Sequence, residues 1–196
     1  MLKTRSFFND IETIKVYDEL AQFLGAIEDG VIEFTYTDIV KSAGHSCGTV
    51  AGAYLIALKG LQKLYPDTLP KRGDIKIEMR KPPRENNCGV VASVLSSITG
   101  ATSDFGFGGI PTGKFNRRDL LFFDVNISSD VCLTRLDNGK KVFINYKPQK
   151  VVNPMKILKS AIMPDSSAED IKSFPDRFQK MVQTVFDNAD SVIEIS

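Results

Sequence analysis

The chain has 196 residues, 42% apolar and 25% charged, which suits one soluble globular domain with extensions. Its formal net charge of +1 provides no global field for nucleic acid or an anionic membrane. Three cysteines are too few, and too odd in number, for a disulfide framework, and no stretch has the length of a membrane span.

The first ten residues lack the apolar core of a signal peptide, so a reducing cytoplasm is the expected compartment. Ile11, Ile14, Tyr17, Leu20, Ala21 and Leu24 recur at helical spacing. They predict an amphipathic helix, capped by Asn9 or Asp10 and ended by Gly25. Val31 to Tyr36 reads as a short strand, and Asp38 to Ala43 as one or two helical turns. Gly48 to Tyr65 is rich in Ala and Leu and reads as a buried helix stopped by Pro66.

Ile75, Ile77 and Met79 alternate with Lys76, Glu78 and Arg80, the pattern of a half-buried strand. Pro82-Pro83 ends it. Val90 to Ile98 is a second apolar helix, capped by Asn86 or Asn87 and stopped at Gly100. Gly100 to Lys114 is a glycine-rich loop. It is not a P-loop, because Phe115 stands where Ser or Thr would follow Lys114. Leu120 to Ile127, Val131 to Leu136 and Lys141 to Tyr146 read as strands, the last two joined by an Asn138-Gly139 turn. Met155 to Met163 and Ala168 to Asn188 read as helices, with Pro175 breaking or kinking the second. Val192 to Ile195 reads as a terminal strand.

The expected class is α+β, with an α-β-α-β-β-β core, a mixed sheet and both helices on one face. The expected organisation is a helical extension over 1–29, a metal-binding domain over 30–150 and a helical appendage over 151–196. Exposed helical faces in so small a domain predict a homodimer.

This order has a chemical consequence. A helix over 48–65 rises roughly 27 Å, and a strand over 74–80 returns roughly 23 Å. The two helices then run parallel, with Cys47 and Cys88 at neighbouring N-termini. Helix N-termini favour thiolate, the form that binds metal or attacks an electrophile. His45, the only histidine, lies two residues before Cys47. His45, Cys47 and Cys88 make a reasonable ligand set for zinc or another divalent transition metal, with an open fourth position. Two other readings stand beside it. One is a redox dithiol of Cys47 and Cys88 with His45 as base. The other is a core histidine with inert cysteines.

Ala43-Gly44-His45-Ser46-Cys47-Gly48, with Tyr54 in the following helix, resembles the first motif of the formylmethanofuran dehydrogenase E-subunit family. Cys88 opens a helix that leads to Thr99-Gly100-Ala101-Thr102, then Phe107-Gly108-Gly109 and Thr112-Gly113-Lys114, similar to the family's second motif. The resemblance covers about residues 30–147 and implies a sandwich fold and a metal at His45, Cys47 and Cys88. Ala43, Gly48, Val91 and Ala101 depart from the motifs, which puts the family's activity in doubt. A further reading is a non-catalytic assembly subunit with purely structural zinc, for which the fourth coordination position would be closed. A small-molecule ligand is expected at the open metal position, roofed partly by the loop from Gly106 to Lys114, with Gly106, Gly108, Gly109 and Lys114 as its contacts.

Overall fold

The computed structural model describes residues 3–196. In chain order the elements are β1 (Ile14–Tyr17), α1 (Glu19–Phe23), β2 (Val31–Phe34), α2 (Tyr36–Ala43), α3 (Gly48–Leu64), β3 (Ile75–Met79) and α4 (Cys88–Thr99). Then follow β4 (Leu121–Phe122), β5 (Val131–Arg135), β6 (Lys141–Tyr146), α5 (Pro154–Ile162), α6 (Ala168–Asp187) and β7 (Ile193–Ile195). β1 and β2 form a separate antiparallel hairpin. The main sheet has the order β4-β3-β5-β6-β7. Only β3 and β4 are parallel in it, so it is mixed, and the class is α+β.

Three segments differ from the sequence reading. Ile11 to Leu24 is not one helix. Ile14 and Val16 alternate with Lys15 and Tyr17 and bury one strand face. Asp18 then caps a new, short helix, its carboxylate accepting from the Ala21 N–H at 3.1 Å. Of Leu120 to Ile127, only Leu121 and Phe122 pair with the sheet. Asp119 and Asp124, at φ 58 and 57, turn the chain away on both sides. Pro175 neither breaks nor ends α6. It lies on the exposed side, where water can satisfy the carbonyl that its missing N–H leaves free.

α3 is the centre of the molecule: 13 of its 17 residues are buried. It packs against α4, α6 and strands β5 to β7. Phe8, Ile14 and Val16 from the start of the chain share its core with Met181, Val182, Val185 and Val192 from the end.

Helix-end contacts fix the directions of α3 and α4. Arg135 Nη1 donates to the Leu64 carbonyl at 3.1 Å, and Arg72 Nε to the Ile98 carbonyl at 3.2 Å. Arg135 pairs with Ile75 at the start of β3, so both helix C-termini lie at that edge. At the other edge, Asn87 Nδ2 reaches Thr49 Oγ1 at 3.4 Å. The helices are therefore parallel, with shared N-termini.

Asp18 ties the cationic edge together. It is 2% exposed and accepts from Arg72 Nη1 at 2.7 Å and Arg117 Nη2 at 2.8 Å. Burial pushes its carboxyl up, but the Arg72 hydrogen bond, the Ala21 N–H and the two guanidinium charges hold it below the usual carboxylate range. A lowered folded pKa gives stability that is complete above the ordinary carboxylate range and lost as pH falls through the folded value. Asp18→Asn leaves two guanidiniums without their carboxylate. It should destabilise the protein by about 3–5 kcal/mol at neutral pH. It should also flatten the acid limb of stability against pH, as read by denaturant melts.

Candidate functional site at the shared helix N-termini

α2 begins with a capping box, in which Thr35 Oγ1 accepts from the Asp38 N–H and Asp38 Oδ2 from the Thr35 N–H, each at 3.1 Å. It ends at Gly44, whose φ of 77 suits glycine and turns the chain into His45. Cys47 then takes the N-cap position of α3 in an extended conformation and makes no side-chain cap bond. The thiol is thereby free for another partner.

That partner is His45. Its Nε2 lies 3.4 Å from Cys47 Sγ, and its Nδ1 lies 3.0 Å from the Ala43 carbonyl. A carbonyl only accepts, so the hydrogen-bond partner assigns the proton to Nδ1. On the neutral ring Nε2 then accepts from the Cys47 thiol. The alternative distribution is a thiolate beside an imidazolium. Thiol, imidazole and an orienting carbonyl thus stand in line, the logic of an activated nucleophile.

Two phenols flank the thiol. The Tyr36 hydroxyl is 2.9 Å from Ser46 Oγ, and the Tyr146 hydroxyl donates to the Gly48 carbonyl at 2.7 Å. Burial pushes both phenols far up, and negative charge on Cys47 adds to the rise, so both stay neutral. Gln179 of α6 donates to the Ser46 carbonyl at 3.0 Å and fastens the loop from above. Sequence reasoning missed Tyr36, Tyr146 and Gln179. They come from distant elements, and no local pattern marks them.

Cys88 opens α4 at the same edge, but its thiol turns elsewhere. It is 6% exposed and donates to the Lys81 carbonyl at 3.3 Å. Burial pushes it up, which keeps it a neutral thiol. It lines a cavity of about 500 Å³ with Thr49, Met79, Val91 and Tyr146, rimmed by Arg80, Lys81 and Lys147. His45 instead lines a smaller groove of about 220 Å³ between α2 and α4. The sequence-predicted trio is therefore split into a contacting pair and a separate thiol. Among the described residues, no three His, Cys, Asp or Glu side chains stand close enough to hold a metal ion. As arranged, the donors fit two coordination positions and not a built zinc site. Cys132 lies buried in β5, its thiol 3.8 Å from Thr134 Oγ1 and pushed up by burial. Glu85 is an exposed partner of Lys81 at 2.5 Å.

The glycine-rich loop does not roof this site. It folds on itself, with Gly108 bridged to Asn116 and the Gly106 carbonyl accepting from Arg118 Nε at 2.8 Å. A Cβ at Gly109 would lie 2.6 Å from the Lys114 carbonyl, which explains that glycine without a ligand. Lys114 lines a cavity with Lys71 and Asp74 at the start of β3, the edge opposite His45 and Cys47. The expected lid over the thiols is corrected accordingly: the chain returns through Thr102 and Arg117, whose backbones bond at 2.8 Å beside the C-terminus of α4.

No family model and no curated protein matches this chain.

Gly52 lets the Tyr146 ring rest on α3, since a Cβ there would fall inside the ring. Alanine gains about 1 kcal/mol of helix propensity, while overpacking costs about 1–3 kcal/mol. The Tyr146–Gly48 hydrogen bond is lost as well. Gly52→Ala should therefore destabilise the fold by about 1–2 kcal/mol and alter the alkylation rate of Cys47, both measurable on one preparation.

Proposed function

We propose that the chain acts through the Cys47 thiol, with His45 as its proton partner, on a small molecule reached from the shared helix N-termini. The observation that carries this reading is the 3.4 Å contact between Cys47 Sγ and His45 Nε2, with the ring oriented by the Ala43 carbonyl. The reaction class is thiol–disulfide exchange. Cys47 gives its proton to Nε2, and its thiolate attacks one sulfur of a substrate disulfide. A bond forms between Cys47 and that sulfur as the substrate S–S bond breaks. The departing thiolate takes the proton back from His45. Cys88, which opens α4 at the same edge, is the second thiol of the couple, and to resolve the mixed disulfide it leaves the Lys81 carbonyl.

A second reading is zinc at His45, Cys47 and Cys88, in keeping with the resemblance to the E-subunit family of formylmethanofuran dehydrogenase. The Nδ1–carbonyl hydrogen bond supports it, because metal-binding imidazoles are oriented in this way. It requires Cys88 to leave the Lys81 carbonyl.

Alkylation separates the two. Cys47 should react first with iodoacetamide, ahead of Cys88 and Cys132. His45→Gln should slow it about tenfold near neutral pH, and a chelator should change nothing. Bound zinc near one equivalent, with Cys47 and Cys88 released together by chelator, would establish the second reading instead.

A further inference from the structure

A second cavity, of about 420 Å³, opens at the far edge of the sheet, between the start of β3 and the end of the glycine-rich loop. Lys71, Arg72, Lys114 and Arg117 line it, against the carboxylates of Glu19 and Asp74. These cations differ in what they have left to give. Arg72 is fully engaged, by Asp18 and by the Ser97 and Ile98 carbonyls. Lys71 has only a 3.8 Å contact with Asp74. Lys114 has no ion-pair partner among the described residues.

Arg117 is the unusual member. It is 6% exposed, and of its guanidinium only Nη2 is bonded, to Asp18. Among the described residues neither Nε nor Nη1 finds an acceptor, yet neither is sealed from solvent. The guanidinium lies over Gly73, where any Cβ would displace it. A buried guanidinium that lines a cavity with two donors unfilled is a fork without its oxyanion. Phe115 adds a second peculiarity. It holds a φ of 65, costly for an aromatic residue, and packs its ring 5.4 Å from that of Phe23 at the cavity rim.

We propose that this cavity is an oxyanion site that takes the phosphate group of a small organic ligand, with the Nε–Nη1 edge of Arg117, Lys71 and Lys114 as donors. A planar carboxylate would be satisfied by the guanidinium alone. A tetrahedral phosphate offers further oxygens to both lysines, and its double charge outweighs the repulsion of Asp74 and Glu19. The Phe115 and Tyr17 rings face the remainder of the ligand. The site is independent of the His45–Cys47 pair, which lies at the opposite edge.

The test uses the intact protein and inorganic phosphate, with acetate and sodium chloride at matched ionic strength. Phosphate should raise the melting temperature saturably, and acetate should not. Lys71→Ala and Lys114→Ala, both of exposed side chains, should each weaken phosphate binding about tenfold in calorimetry. Arg117→Lys should abolish it, with circular dichroism confirming the fold. A His45→Ala, Cys47→Ala double variant should bind phosphate like the unaltered protein. An unsaturated response, or one unchanged in both lysine variants, would overturn the proposal.

Discussion

Burying α3 on nearly all sides is the constraint on which the rest of the molecule depends. A helix so enclosed cannot carry large side chains around its whole girth. Glycines therefore stand where the helix meets the sheet. A Cβ at Gly60 would lie 2.6 Å from Ile144 Cδ1, and Gly52 receives the Tyr146 ring. Both contacts come from β6, so the register of that strand and the rotation of α3 set one another. α4 packs beside α3 and against β3, and the return path through β3 makes it parallel to α3. The placement of His45 and Cys47 follows from this, because they are the last residues before α3 begins.

The sequence foretold the direction of the helices better than it foretold the contacts of side chains. Apolar runs at 48–65 and 90–98 read as two helices, and the strand between them brings the chain back to the level at which the first began. Chain order and length were therefore enough to bring Cys47 and Cys88 to one edge. Whether their thiols meet is decided by rotamers and by local acceptors, and the Lys81 carbonyl is invisible to any pattern of residue types. The departure over Ile11 to Leu24 has another origin. Two periods fit the same apolar residues, and Asp18 decides between them. Its guanidinium partners lie 54 and 99 residues away. A tertiary ion pair overrides a local periodicity.

The two edges of the sheet are chemically unlike, and helix polarity explains why. At the N-terminal edge the helix ends present N–H groups and partial positive charge, which suits a thiol that must become anionic. At the C-terminal edge they present carbonyls. Arg72, Arg135 and Lys140 donate to those carbonyls, at 3.2 Å or less in each case. These three cations thus act as helix caps.

Arg117 stands apart from these caps. A cation recruited only to cap a helix would end with its donors bonded, as Arg72 does. Arg117 ends with one nitrogen on Asp18 and, among the described residues, two without an acceptor, although its burial is nearly complete and it lines a cavity. Desolvating a guanidinium without filling its donors is costly, and burial draws its pKa down against the pull of Asp18. A lysine reaching Asp18 from solvent would have neutralised that carboxylate with less buried polarity left over. The geometry of Arg117 is economical only if the open edge has a use, and an oxyanion is the partner whose shape that edge matches.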